Sequence, residues 1–156
     1  WRSHYDTTAP EIVRDTKGEA DLFVAGMGTT GTLMGCSRFF REHNPRTKVA
    51  GIEPEPDHRI QGLKNMSESI VPEIFSPELL DYRFMCSDQD AFETVRDLAT
   101  REGLFCGISS GAALRGAMNA ARDLKRGSTV VVLFPDRGDR YLSTETYRSV
   151  CAICPP

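Results

Sequence analysis

The sequence predicts an α/β fold built on a mostly parallel sheet. Apolar, β-type runs recur at Leu22–Ala25, Lys48–Glu53, Arg83–Cys86 and Thr129–Phe134, with helix-patterned segments between them. That alternation implies right-handed crossovers between parallel strands. Leu22–Ala25 is apolar at every position, as a strand buried on both faces is. It runs into Gly26-Met27-Gly28-Thr29-Thr30-Gly31-Thr32, from which a helix pattern, Leu33 to His43, departs. Strand, glycine-rich loop and helix in that order make an anion seat. Loop N–H groups and the helix N-terminus converge, glycine admits close approach, and threonine hydroxyls add donors.

The elements follow in order. Thr7-Thr8-Ala9-Pro10-Glu11 reads as a helix start, with threonine as cap, proline in the first turn and glutamate favouring the dipole. That helix runs to about Thr16 and stops near Gly18. The helix after the loop ends at Asn44-Pro45, and the second strand is closed by Pro54. Pro54 to Pro77 is rich in proline, glycine and polar residues and is long for a connection, as functional loops often are. Ser87-Asp88-Gln89-Asp90 is a capping-box pattern with aspartate in the glutamate position. The helix behind it carries Ala91, Phe92, Val95, Leu98 and Ala99 on one face and ends near Gly103. Leu104–Ile108 is again apolar and reads as a strand. Ser109-Ser110-Gly111 then opens an alanine-rich helix to about Arg126, with Gly127 as C-cap. The last strand passes into Pro135–Thr144.

Composition narrows the function classes. The 156 residues are 40% hydrophobic and 26% charged, an ordinary globular composition for one domain or part of a larger one. A net charge of -3 with dispersed basic residues gives no reason to expect nucleic acid or an anionic membrane. No apolar run approaches the ~20 residues of a membrane span. The N-terminus is not a signal peptide, and the chain lacks an initiator methionine, as a chain beginning mid-protein would. Five scattered cysteines argue against a disulfide framework and for a reducing cytoplasm. Cys151 and Cys154 form a C-x-x-C with no second pair, and the three histidines are far apart. No metal site is expected, since zinc sites normally take four ligands.

In an open α/β sheet, ligands sit outside the carboxyl ends of the strands. Three informative segments lie at such ends: Gly28–Thr32, Ser109–Gly111 and Pro135–Thr144. One reading is a dinucleotide site. Gly26, Gly28 and Gly31 fit G-x-G-x-x-G, and Glu53 ends the next strand about where a ribose-binding acid belongs; Glu53 equally suits a polar strand terminus. Against this reading, Thr29, Thr30 and Thr32 suit a compact terminal phosphate as well as a bridging pyrophosphate, and the other two segments have no role in a nucleotide fingerprint.

Gly28-Thr29-Thr30-Gly31-Thr32, Gly107-Ile108-Ser109-Ser110-Gly111 and Asp136–Thr144 together resemble the cysteine synthase family of fold type II pyridoxal-phosphate enzymes, its B-type members most closely. The resemblance extends from Thr8 to Thr144. It implies a three-layer fold, a mostly parallel twisted sheet with helices on both faces, and pyridoxal 5'-phosphate as cofactor. It implies that Gly28, Thr29, Thr30, Gly31 and Thr32 cradle the cofactor phosphate, that Ser109 bonds the pyridine nitrogen, and that Asp136–Thr144 lies beside the ring. Ser109 is also placed to cap the following helix. A neutral serine makes the ring a weaker electron sink than a carboxylate would, which suffices for β-elimination. Lys64, in Ile60-Gln61-Gly62-Leu63-Lys64-Asn65-Met66, stands where some members that use O-phosphoserine carry a basic residue. It is either a point charge for a substrate phosphate or a solvated lysine.

The resemblance further implies β-replacement on O-acetylserine or O-phosphoserine by a sulfur donor to give L-cysteine, in a homodimer. The family's Schiff-base lysine sits N-terminally in a segment resembling Ser-x-Lys-Asp-Arg, and nothing like it occurs here. No catalytic residue is therefore assigned in this chain. Residues 1–145 are expected to be the C-terminal cofactor-binding portion and 146–156 a tail, with the N-terminal domain absent. Alone, the chain is expected to be inactive and to bind cofactor weakly and non-covalently. A nicotinamide-binding domain and a non-catalytic truncated half remain the alternatives.

Overall fold

Every strand pair is parallel, in a sheet ordered β3-β2-β1-β4. The computed structural model describes residues 1–147. Its strands are β1 (Ala20–Gly26), β2 (Lys48–Pro54), β3 (Tyr82–Cys86) and β4 (Thr129–Val132), and its main helices are α1 (Ala9–Asp15), α2 (Gly31–His43), α3 (Asp88–Arg101) and α4 (Ile108–Ala120). The expected Cys151–Cys154 pair lies outside the described residues, as does the expected tail beyond Tyr147.

Alternation along the strands divides the core in two. Leu22 and Val24 of β1 join Ala50 and Ile52 of β2 under α3 and α4. Phe23 and Ala25 join Val49 under α1 and α2, with Phe40, Leu33 and Met34 completing that layer. The sheet is thus the middle of three layers, as expected. The buried strands need apolar residues at both parities, which explains their uninterrupted runs. At Gly111 a β-carbon would stand 3.0 Å from Val95 N and collide with Ala91 O, so glycine is what lets α3 and α4 touch along their backbones. Among the described residues no helix is long and apolar enough to cross a membrane.

Three local expectations need correction. Thr8 does not cap the first helix. The chain is already helical from Arg2, passes through a π-turn at His4–Thr8, and Thr8 makes no side-chain cap bond. Pro10 is accommodated because this widened turn has already left i→i−4 bonding, the Ala9 N–H donating to His4 O. Leu104–Ile108 is not a strand. Gly103 at φ +69° and a Leu104 N–H returning to Leu98 O end α3. The segment then makes only an isolated bridge, Cys106 to Arg137. The alanine-rich helix ends at Ala120 and continues as a single 3-10 turn at Ala121–Asp123. Ser87, by contrast, caps α3 as predicted, accepting the Asp90 N–H at 3.2 Å.

Candidate active site

The site lies where the sheet order reverses. From β1 the chain steps to β2 and β3 on one side, and β4 returns on the other, leaving a crevice beyond the carboxyl ends of β1 and β4. A cavity of about 260 Å³ occupies it, entered from Gly26 at the end of β1 and from Leu133 and Pro135 just past β4.

Two helix N-termini open on this cavity. Gly28, Thr29, Thr30, Gly31 and Thr32 all line it at the start of α2. The first turn of that helix presents N–H groups without intrahelical acceptors, and its dipole favours an anion there. Thr30 carries the strongest sign of a ligand. It is 3% exposed, it stands in the left-handed region at φ 64°, and its Oγ1 has no hydrogen-bond partner. A β-branched residue in that region is strained, and a buried orphan hydroxyl is costly. Both make sense at a seat for an acceptor-rich group. Gly28 is held by close approach, since a β-carbon there would lie 2.6 Å from Gly62 O.

Ser109 meets the cavity from α4. Gly107, not Ser109, is the N-cap, so Ser109 belongs to the first turn and its hydroxyl is not spent on capping. The alternative role as N-cap is thereby set aside. Asp136 and Tyr141 form the facing wall, the Tyr141 hydroxyl donating to Asp136 Oδ2 at 2.6 Å. Burial first, and then the bond to Asp136, push the Tyr141 phenol up to about 12. It stays a donor at any working pH.

The long loop supplies the remaining wall through Gly62 and Leu63 rather than through Lys64. Lys64 is exposed; its backbone N–H is what binds, donating to Met27 O at 2.7 Å. The sequence marked this loop for its length and its lysine, and the contact falls on the residues just before. All four lysines, Lys17, Lys48, Lys64 and Lys125, are exposed, and none lines the cavity. The Tyr141–Asp136 pair carried no pattern of its own beyond the segment that holds it. Among the described residues no group of three or more His, Cys, Asp or Glu side chains could hold a metal.

The dinucleotide reading fails at Glu53. Its buried carboxylate takes Arg83 Nε at 2.5 Å and Nη2 at 2.8 Å, and accepts the Met66 N–H at 3.1 Å. No oxygen is left for a ribose, and the residue is a structural strand terminus.

Fold and site therefore define an α/β protein whose glycine- and threonine-rich loop and Ser109, at two helix starts, line one cavity. The chain belongs to the pyridoxal-phosphate dependent enzyme family, whose pattern matches residues 1–136. It is 46% identical over 145 residues to cysteine synthase B of Salmonella typhimurium, covering 93% of this chain and 48% of that protein. Among solved structures, it is similar to O-ureido-L-serine synthase, with a TM-score of 0.86 at 36% identity over 94% of this chain and 49% of the other. It is likewise similar to O-acetyl serine sulfhydrylase isoform 3 from Entamoeba histolytica, with a TM-score of 0.87 at 33% identity, covering 96% and 47%. The chain thus spans about half the length of the curated relatives it matches. The orphaned Thr30 hydroxyl, the α2 N-terminus and Ser109 fit the family's cofactor, phosphate at one end and ring nitrogen at the other.

Proposed function

We propose that this chain forms the phosphate- and pyridine-binding half of a pyridoxal-phosphate dependent cysteine synthase. The enzyme replaces the β-substituent of O-acetylserine or O-phosphoserine with a sulfur nucleophile to give L-cysteine. The observation that carries the reading is the convergence of two helix starts on one cavity, with the strained, unpartnered Thr30 at one of them. When bound, pyridoxal phosphate supplies an electron sink for the amino acid's α-carbon.

This chain's residues hold and orient that group. Gly28–Thr32 bind the phosphate through backbone N–H groups and threonine hydroxyls. Ser109 offers the ring nitrogen a neutral donor, so no charge is fixed there and electrons are left to depart with the β-substituent. Tyr141, kept protonated and braced on Asp136, closes the wall against water. In this reading the covalent anchor and the base for the α-proton come from an N-terminal half, which the absence of any lysine from the cavity lining among the described residues supports. Without it the chain is inactive. The working enzyme is read as a cytoplasmic homodimer. Lys64 is proposed as a point charge for a phosphorylated substrate, and unchanged kinetics of Lys64→Ala on O-phosphoserine would remove that role.

The reading is tested by titrating the 156-residue chain with pyridoxal phosphate and with NAD, followed by borohydride and intact mass. Pyridoxal phosphate is expected to bind weakly and to leave no stoichiometric adduct, and Ser109→Ala is expected to weaken binding further. Selective NAD binding, or a stoichiometric reduced adduct on one of the four lysines, overturns it.

A further inference from the structure

The π-turn at His4–Thr8 brings a histidine to the phosphate loop. Widened turns of this kind recur at functional sites because they move a side chain off the regular helical path. Here His4 packs against the first turns of α2, its β-carbon 2.8 Å from where a Gly35 β-carbon would stand. Its Nε2 lies 3.1 Å from Thr32 Oγ1 and its Nδ1 lies 3.0 Å from Thr8 Oγ1. Thr32 lines the cavity, whereas His4 stands behind it.

We propose that His4 is a positioning residue that aims the Thr32 hydroxyl at the cofactor phosphate. The inference rests on the loop's assignment to a phosphate group. A hydroxyl has one proton and two acceptor lone pairs. If Thr32 donates to His4, only lone pairs face the phosphate, and they repel it. If His4 Nε2–H donates to Thr32, the Thr32 proton is free to point into the cavity. The proposal takes the second arrangement, with the Thr8 hydroxyl, 3.0 Å from Nδ1, as donor to it and the ring proton on Nε2. The chain of donors thus runs Thr8 to His4 to Thr32 to phosphate, His4 and Thr32 each giving one proton and accepting one. The effect belongs to the phosphate end and leaves the ring end untouched.

The test compares three ligands on the full chain: pyridoxal phosphate, pyridoxal, and inorganic phosphate as competitor. The unmodified protein is expected to prefer pyridoxal phosphate to pyridoxal. His4→Phe is expected to lose about tenfold in affinity for pyridoxal phosphate and for inorganic phosphate, with pyridoxal binding unchanged. His4→Gln, whose amide nitrogen reaches about as far as Nε2, is expected to restore most of that loss and covers the case in which the phenylalanine variant fails to fold. Thr32→Val is expected to lose the same factor, and combining it with His4→Phe to add little. Equal weakening of pyridoxal and pyridoxal phosphate by His4→Phe overturns the proposal, as do losses that multiply in the double variant. If the unmodified protein prefers the phosphorylated ligand and His4→Phe keeps that preference, the role of His4 alone falls. If the unmodified protein shows no preference, the phosphate assignment falls and His4 with it.

Discussion

Thr30 sets function against stability at one residue, so its replacement by glycine has a predictable double signature. At φ 64° an L-residue bears about 1–2 kcal/mol that glycine does not. The buried Oγ1 lacks a partner, and its removal relieves about 1 kcal/mol more. Against this, glycine costs about 0.5–1 kcal/mol in chain entropy, and the lost buried methyl about 0.8 kcal/mol. The balance for Thr30→Gly is a gain of about 1 kcal/mol, a rise in Tm of roughly 2–4 °C for a domain of this size. On the proposed function the same change removes a donor to a charged phosphate, about 1.5–3 kcal/mol, which is roughly 10–150-fold in Kd for pyridoxal phosphate. Thr30→Ala separates the terms, losing the hydroxyl while keeping the strain. It should share the affinity loss and melt close to the parent. Urea and thermal unfolding read the first quantity, and equilibrium dialysis the second. A glycine variant that melts below the parent, or two variants that bind with the parental Kd, would refute the reasoning.

Two further predictions concern the scaffold. Arg83→Met leaves the Glu53 carboxylate, 2% exposed, with only the Met66 N–H. Breaking a fully buried pair costs about 3–5 kcal/mol; with Arg83 itself 42% exposed, about 2 kcal/mol is expected by urea unfolding, largely recovered when Glu53→Gln is added. A loss under ~0.5 kcal/mol would place the pair among ordinary surface contacts. The second concerns the thiols of Cys36 and Cys86, which burial pushes up to about 12 from 9.0. The folded state keeps protons there that the unfolded chain gives up. The stabilisation from these groups is full below pH 9.0 and drains as pH rises toward 12, by up to about 1.4 kcal/mol per pH unit per thiol. Urea midpoints should therefore fall above pH 9.0 and flatten in the Cys36→Ala, Cys86→Ala double variant; an unchanged slope would show that the thiols are not the cause.

What could be read directly was what local chemistry decides. Leu22–Ala25 had to be a doubly covered strand because no polar atom interrupts it, and Ser87 had to start a helix because its hydroxyl replaces a missing acceptor. Gly28–Thr32 read as a candidate anion seat because glycine spacing and hydroxyl density suit one at a strand end, and the loop does line a cavity there. The mistaken readings share one cause. Leu104–Ile108 looks like a strand in isolation, but a strand needs a pairing partner along its length, and this segment finds one only at the single bridge from Cys106 to Arg137. Glu53 looks like a ribose ligand until Arg83, thirty residues on, takes both oxygens.

Sequence alone thus determined the class of fold and marked the Gly28–Thr32 loop and Ser109 as candidates, since strand runs and glycine-rich loops rest on contacts within a few residues. Tertiary structure alone decided that the loop and Ser109 open on one cavity, that Gly62, Leu63 and Tyr141 wall it, and that His4 stands behind Thr32. These are contacts between segments far apart along the chain. They exist only because a parallel sheet places its carboxyl ends, and the helix starts that follow them, on the same side.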